Sequence, residues 1–180
     1  MQWNRIFENA RLISEFAKIS LDQKKILLVA YLYRQRRLLV RFDSCYGEKL
    51  TITFLNGLES ILAADEININ TMLGEVQGSI SDTDEFSEQE GAYAQNLMIA
   101  LMYLLSFCPS GDQDQISKCI NSALNNIDLI NYERDEGYDE SNVVEQEVAA
   151  VERSLSMLAV DRVDKLYTSE NLASIAGEML

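Results

Sequence analysis

The chain has 180 residues, with 15 Lys and Arg against 29 Asp and Glu, a formal net charge of −14, and no histidine. Without an imidazole, Ser-His-Asp and Cys-His catalysis, histidine-ligated zinc and Glu-x-x-His di-iron sites are excluded. Hydrophobic residues make up 47% and charged residues 24%, which predicts one globular domain over residues 1–180 with a substantial core.

The cellular surroundings are predicted from the cysteines and the apolar runs. Cys45, Cys108 and Cys119 include no Cys-x-x-Cys pair and are too few for a secreted disulfide framework. The longest apolar runs, residues 26–33 and 97–105, are less than half of the ~20 residues that a membrane-spanning helix needs. The N-terminal sequence MQWNRIFENARL does not resemble a signal peptide. We therefore expect a cytoplasmic protein with no membrane association.

The first half of the chain is predicted to be helical, because apolar residues recur at intervals of three and four and proline occurs once. A first helix is expected from about Arg5 to Ala17. A second begins after Ser20, contains the apolar stretch ILLVAYLY and ends near Gly47. The segment LTITFLNGLESIL predicts a third helix. Residues 68–84 are expected to be a connection with one short helix, at residues 70–76.

In the second half, two capping boxes predict helix starts, one at Ser87–Glu90 and one at Asp112–Gln115. Pro109 and Gly111 separate these two helices by so short a link that we expect an antiparallel pair. An acidic loop is predicted at residues 131–142, and a last amphipathic segment at 169–180. Between them, a narrow apolar seam predicts a helix of about five turns: Val144, Val148, Val151, Leu155 and Leu158. The fold class is therefore all-α, a single compact bundle of six to eight helices.

Two blocks of sequence resemble the YjaG-like family of small bacterial proteins of unknown function. The first is YLYRQRRLLVRFDSCYG with the following LNGLESIL. The second is FSEQEGAYAQNLMIALMYLLSFCPSGDQDQISKCINSALNNIDLIN followed by VEQEVAAVERSLSMLA. The resemblance implies an all-α, single-domain fold and implies no activity. Asn96 stands where an aspartate is expected in relatives, so the resemblance implies no shared acidic site there.

The charge is distributed unevenly along the chain. Residues 1–50 have ten basic and five acidic side chains, residues 51–117 none and eleven, and residues 118–180 five and thirteen. Such a surface repels nucleic acids and attracts a basic protein partner. Nine acidic residues in two clusters, and two tyrosines as anchors, are predicted to bind the partner: Asp82, Asp84, Glu85, Glu88, Tyr132, Glu133, Asp135, Glu136, Tyr138, Asp139 and Glu140. The plainer interpretation is that these are solvated loops and favourable charges at helix N-termini.

Three further groups of residues leave alternatives open. Glu85-x-x-Glu88 and Glu136-x-x-Asp139, if helical, would each put two carboxylates on one face, as in magnesium-dependent all-α nucleotide pyrophosphohydrolases, although the pairs are 51 residues apart. Arg34, Arg37 and Arg41 form a stripe that predicts either an anion or RNA contact or, more simply, a solvated face pairing with acidic neighbours. The apolar seam is a candidate homodimer interface.

The leading functional hypothesis is a non-enzymatic acidic binding protein. Its sharpest form is an immunity protein that neutralises a basic, nuclease-type toxin by protein–protein binding. No catalytic residue, metal site or cofactor is predicted. The alternatives are the metal-dependent nucleotide pyrophosphohydrolase and a housekeeping helical bundle that homodimerises.

Overall fold

The computed structural model describes residues 1–80, 85, 86, 88–160 and 172. Within these residues the chain forms nine α-helices and no strand, which confirms the all-α prediction. In chain order the helices are α1 (Asn4–Phe7), α2 (Ile13–Lys18), α3 (Leu21–Tyr33), α4 (Arg36–Tyr46), α5 (Leu50–Leu62), α6 (Glu66–Gly78), α7 (Gln89–Ser110), α8 (Gln113–Arg134) and α9 (Glu140–Val160).

One hydrophobic core includes side chains from all of these helices. Residues 26–33 of α3 are all buried, as expected for the apolar stretch ILLVAYLY. Among the described helices, α7 alone is long and apolar enough to span a membrane. In its apolar stretch of 18 residues, 56% is buried inside the bundle. A soluble core helix passes the same test of length and composition. The position of α7 in the bundle therefore explains its apolar sequence.

Helices α7 and α8 form the predicted antiparallel pair. Asn96, in the first half of α7, donates a hydrogen bond to Asn126 in the second half of α8 at 3.0 Å, while Lys118 near the start of α8 lies 5.8 Å from the ring of Tyr103. Gly111 adopts a left-handed conformation with φ of 65° and ends α7, donating its N–H to Phe107 at 2.8 Å. Glycine is favoured at such a C-terminal cap because it has no Cβ to clash.

The predicted first helix is two short helices, α1 and α2, separated by residues 8–12. The Asn9 side chain accepts the backbone N–H of Arg11 at 3.0 Å within this break. Asparagine offers the backbone such an alternative partner and so competes with helical hydrogen bonds. The apolar face predicted for one helix is not kept, because Ile6 is buried whereas Ala10, Ile13 and Ala17 are exposed. Leu12 and Phe16 enter the core in their place.

The predicted second helix is also broken, at Arg34 and Gln35, into α3 and α4. The buried Gln35 side chain donates to the Ala123 carbonyl at 3.1 Å, which ties the break to α8. Neither glycine nor proline marks the break, so nothing in the local sequence predicts it. The end of this segment is as predicted, since α4 stops at Tyr46 with Gly47 at φ 73°. These two breaks account for the larger number of helices.

Helix α6 is longer than the short helix predicted at residues 70–76. Asp65 caps it, accepting the backbone N–H groups of Ile67 and Asn68, each at 3.1 Å. An aspartate at this position satisfies N–H groups that have no helical partner. The helix therefore begins four residues earlier than expected, at Glu66.

Helices α7 and α8 begin near the predicted capping boxes, but their capping hydrogen bonds differ from the predicted ones. Helix α7 has Glu88 at its N-cap and no hydrogen bond from a side-chain cap. The Glu90 carboxylate accepts a hydrogen bond from Arg41 at 2.6 Å instead, and Ser87 lies outside the described residues. Asp112 caps α8 through the N–H of Asp114 at 3.0 Å. A full capping box occurs at Ser20 and Gln23, where none was predicted.

The apolar seam of α9 belongs to the chain's own core. Val144, Val148, Val151, Leu155 and Leu158 are all buried, and α9 packs against α1 and α3. The acidic loop before it is shorter than predicted, because α8 continues to Arg134 and α9 begins at Glu140. The seam is therefore not available as the dimer interface suggested above. The amphipathic segment predicted at residues 169–180 lies outside the described residues except for Leu172, which is buried.

Leu158→Ala tests this assignment of the seam. Leu158 is 1% exposed, so we expect the substitution to lower the free energy of unfolding by about 2–5 kcal/mol. The neighbouring Met157, which is 38% exposed, serves as the control, and Met157→Ala should have a much smaller effect. Urea denaturation at several protein concentrations provides the measurement. A midpoint for the unsubstituted protein that rises with concentration, and loses that rise in Leu158→Ala, would show that the seam joins two chains.

Candidate functional site

The first predicted acidic cluster lies just before α7. Glu85 and Glu88 are exposed, whereas Asp82 and Asp84 lie outside the described residues. The backbone N–H of Glu88 donates to the Tyr46 hydroxyl at 3.3 Å, which places the start of α7 beside the end of α4. Neither Glu85 nor Glu88 is in a helix. Their two carboxylates therefore do not share a helical face, which the nucleotide pyrophosphohydrolase alternative assumed.

A cavity of about 410 Å³ opens next to this cluster. Its charged lining residues are Glu48 and Glu85, and none of its described lining residues is basic. The remaining lining residues are mostly apolar or small: Phe42, Leu50, Gly78, Ser79, Ile80 and Phe86. A cavity with carboxylates and apolar walls suits a long basic side chain, whose methylene groups pack while its charged end meets the acids.

Three aromatic rings and one carboxylate hold the walls of this cavity. Phe86 packs on Phe42 and Tyr46, with ring centroids 5.0 and 4.8 Å apart. The Asp43 carboxylate accepts the backbone N–H groups of Leu50 and Thr51 at 2.8 and 3.0 Å. These contacts fix the corner between α4 and α5, so Glu48 and Leu50 are held on a rigid part of the fold.

Gly91 lets the Phe86 backbone approach the first turn of α7. A Cβ atom at Gly91 would lie 2.1 Å from the Phe86 carbonyl oxygen and 2.8 Å from the Phe86 Cβ. Both distances are far below van der Waals contact, and the first atom belongs to the backbone. A side chain at position 91 would therefore displace Phe86 from the cavity wall.

The second predicted cluster lies at the link between α8 and α9. Glu133 accepts a hydrogen bond from the Tyr93 hydroxyl. Glu140 is paired with Arg5 at 2.5 Å, and the hydrogen bond from Arg5 is the main cause of its lowered pKa. Tyr138 is half-buried and donates its hydroxyl to Asp128. Three of the seven predicted residues in this cluster thus already bond other side chains of the fold.

The other four residues of this cluster are exposed. Asp135 and Asp139 accept nearby backbone N–H groups, of Gly137 at 2.9 Å and of Ser141 at 2.8 Å. Glu136 lies between them, and Tyr132 exposes 52% of its surface. Glu136 and Asp139 are in the loop, so they do not share a helical face. Of the two predicted aromatic anchors, Tyr132 is the accessible one.

The two clusters lie at the same end of the α7–α8 pair, because α7 begins where α8 ends. Arg41 stands between them, since it pairs with Glu90 and lines a cavity together with Tyr93 and Glu133. Burial, reinforced by the hydrogen bond to Glu133, raises the pKa of Tyr93, so its hydroxyl remains a donor. The described residues of the two clusters therefore form two acidic patches with Arg41 between them.

A buried polar network behind the second patch was missed by sequence reasoning. The Glu147 carboxylate, which is 5% exposed, accepts the Tyr31 hydroxyl at 2.8 Å and both terminal nitrogens of Arg34, at 2.8 and 3.2 Å. Burial, followed by the nearby Glu147 charge, raises the pKa of Tyr31. Glu147 immediately precedes Val148 on the buried face of α9, and this position in the apolar seam was the sequence signal that could have identified it.

A second buried network joins the break between α3 and α4 to α7 and α8. The Asn126 amide donates to the Gln35 side chain at 3.2 Å and to the Tyr93 carbonyl at 3.1 Å, and it accepts the Asn96 amide at 3.0 Å. Asn96 acts here as a donor, which an ionised aspartate could not do. The network is structural, since Gln35 and Asn126 are 1% and 0% exposed.

Thiols and carboxylates are the side chains of this chain that could react as nucleophiles or bind a metal ion. Burial raises the pKa of Cys108 to about 11, as expected for an inert thiol. Among the residues that the structure describes, no group of three or more Cys, Asp or Glu side chains is placed to hold a metal ion.

Comparison of the chain with protein-family models, with curated proteins and with solved structures finds no match. The relation to the YjaG-like family therefore stays a prediction from the two sequence blocks quoted above.

Gly91→Ala tests the role of the close approach at Phe86. We expect it to destabilise the protein by about 1–3 kcal/mol, as overpacking does. Gly74, in the interior of α6, has open space where a Cβ atom would lie, with no neighbouring atom within 4 Å, so Gly74→Ala should instead stabilise by about 0.5–1 kcal/mol. Guanidinium denaturation compares the two variants. Equal effects of the same sign would show that Phe86 does not constrain position 91.

Glu147→Gln tests the buried ion pair. The substitution keeps the shape but leaves the Arg34 guanidinium, which is 9% exposed, without its opposite charge. The expected loss in the free energy of unfolding is about 3–5 kcal/mol. Glu145, which is 65% exposed and pairs with Arg11, is the control; Glu145→Gln should change stability by no more than about 0.5 kcal/mol. Urea denaturation at pH 7 measures both, and similar losses would contradict the assigned importance of burial.

Proposed function

We propose that this protein is a non-enzymatic binding protein whose acidic side docks onto a basic protein. The proposal rests on the cavity lined by Glu48 and Glu85, whose described lining residues also include Phe42, Leu50, Ile80 and Phe86 and no basic residue. Its occupant is a lysine or arginine side chain of the partner. Charge and shape agree in this choice, because the cavity offers two carboxylates to the ammonium or guanidinium and apolar walls to the methylene groups.

The surroundings of the cavity support docking of a whole basic surface. Between positions 51 and 117 the sequence has no Lys or Arg. Among the described residues, the one ion pair that reaches this stretch joins Glu90 to Arg41. The other described carboxylates of the stretch are therefore without a basic partner side chain in the described fold, and their field attracts positive charge over several ångströms.

We further propose that the partner is a cationic nuclease and that the protein is its immunity protein. The acidity of the chain supports this version, since a nuclease that binds phosphates has a basic surface to mask. In this account Glu85 and Glu88 meet the partner together with Asp135, Glu136, Asp139 and Tyr132, which are exposed. Glu133, Glu140 and Tyr138 act within the fold to hold the second patch.

The docking site is tested with a fluorescein-labelled hexa-arginine peptide. We expect Glu48→Lys with Glu85→Lys to weaken binding at least about tenfold, because two attractive charges become repulsive. The control has the same change in net charge, in Glu15→Lys with Glu145→Lys, at side chains that are 60% and 65% exposed and do not line the cavity. Fluorescence anisotropy at 50 and 300 mM salt gives the dissociation constants. An equal loss in both double variants would contradict a localised site.

The immunity role has its own test. A partner captured from the native cytoplasm at low salt and released at high salt is assayed for nuclease activity with and without the protein. We expect stoichiometric inhibition. The triple variant Asp135→Lys, Glu136→Lys and Asp139→Lys should abolish it, because three attractive charges become repulsive. A captured basic protein that has no nuclease activity, or whose activity is unaffected, would contradict the immunity role.

A further inference from the structure

Three separate parts of the fold line the cavity at Glu48 and Glu85. Glu48 lies at the corner between α4 and α5, and Glu85 lies in the segment before α7. Residues 78–80, at the end of α6, form a third part of the lining. The groups that can meet a cation therefore reach the cavity from several directions. These directions matter because lysine and arginine present their donors in different geometries.

Both carboxylates of the cavity are open to a cation from outside the chain. Glu48 and Glu85 are exposed, and neither side chain has a hydrogen-bond or ion-pair partner in the part of the chain that the structure describes. Other acidic residues near the same end of the molecule differ in this respect, since Glu90 is paired with Arg41. A positive group that enters the cavity therefore does not have to displace a basic side chain of the described fold.

The C-terminal end of α6 adds a further negative feature. This helix has 13 residues, and Gly78 and its C-cap Ser79 line the cavity. The carbonyl end of an α-helix has a partial negative charge that favours cations, and its last carbonyl groups have no partner within the helix. Ser79 donates its hydroxyl to the Glu75 carbonyl at 2.7 Å, and the last turn of this fully described helix has no basic residue. A cation in the cavity would supply the positive charge that this helix end lacks.

Phe86 gives the cavity an aromatic surface in a fixed position. Its ring packs edge-on against Phe42 and Tyr46, at interplanar angles of 65° and 76°. Phe42 is fully buried, whereas Phe86 is half-buried and keeps part of its surface accessible. A planar guanidinium group stacks on an aromatic ring, and it is more weakly hydrated than the ammonium group of lysine. The aromatic wall therefore favours arginine over lysine.

We propose that this cavity selects the guanidinium group of an arginine side chain over the ammonium group of a lysine. The inference rests on the proposed docking function and specifies the partner, whose basic surface projects an arginine into the cavity. A guanidinium has five N–H donors arranged as a fork, which suits acceptors carried by separate elements of the fold. An ammonium is a compact, strongly hydrated charge, so it loses more hydration in the cavity and gains no stacking on Phe86.

Fluorescein-labelled hexa-arginine and hexa-lysine peptides, which have equal charge, are compared by fluorescence anisotropy at constant ionic strength. We expect hexa-arginine to bind at least about fivefold more tightly. A hexapeptide of dimethylated arginine keeps the charge but cannot form bidentate hydrogen bonds, and should bind about as weakly as hexa-lysine. Equal affinity of hexa-arginine and hexa-lysine would overturn the selectivity while leaving the docking proposal in place. Absence of saturable binding by both peptides would overturn the selectivity and the docking proposal together.

Two variants and a control connect the selectivity to the cavity. Glu48→Gln removes one carboxylate at an exposed position, and should reduce the preference for hexa-arginine to about twofold or less. Phe86→Leu keeps an apolar wall without an aromatic ring, and should also reduce the preference if its circular dichroism shows that it folds. Glu66→Gln has the same change in charge as Glu48→Gln, at an exposed residue at the opposite end of α6, and should keep the preference. An unchanged preference in Glu48→Gln, or an equal reduction in Glu66→Gln, would overturn the proposal.

Discussion

The constraint on which the rest of this structure depends is the absence of Lys and Arg between Lys49 and Lys118. Helices α5, α6 and α7 lie in this stretch and cannot be stabilised by ion pairs within or between themselves. Their stability comes from apolar packing, and ten of the 22 residues of α7 are buried. Their exposed carboxylates are neutralised only where another part of the chain supplies a cation, as Arg41 does for Glu90.

The positive charges are correspondingly concentrated in the first and last parts of the chain. Arg5, Arg11 and Arg34 all pair with acidic residues of α9. Only the last of these pairs is buried, and exposed pairs contribute little to stability. The Arg34–Glu147 pair therefore links α3 to α9 at the point where the predicted second helix bends.

The elements with strong apolar periodicity could be predicted from sequence, and the breaks between them could not. Helices α5, α7, α8 and α9 are found where the spacing of their apolar residues places them. The bend at Arg34 and Gln35 has no local sign because tertiary hydrogen bonds to Ala123 and Glu147 cause it. Helix α6 was underestimated for a different reason: Asp65 was a recognisable cap, but its weak apolar periodicity concealed the helix that follows.

The sequence predicted which residues of the candidate site are acidic, but not which of them lie together in space. Sequence alone identified Glu85 and Glu88 as acidic and exposed, but Glu48 belonged to no cluster and is brought beside Glu85 by the α4–α5 corner. Conversely, Glu140 looked available and is paired with Arg5. The stripe at Arg34, Arg37 and Arg41 divides between roles, because the bend buries Arg34 and leaves Arg41 paired at the surface. Long-range contacts of this kind are not encoded in local spacing.

The measurement that most directly tests an acidic docking face is an NMR titration of ¹⁵N-labelled protein with the hexa-arginine peptide. Localised docking predicts that the largest amide shifts occur at Glu48, Leu50, Glu85 and Phe86, which meet at one cavity. Shifts of equal size there, at Asp112–Asp114 and throughout the acidic surface would contradict it, because they would show that the carboxylates attract positive charge without forming a site.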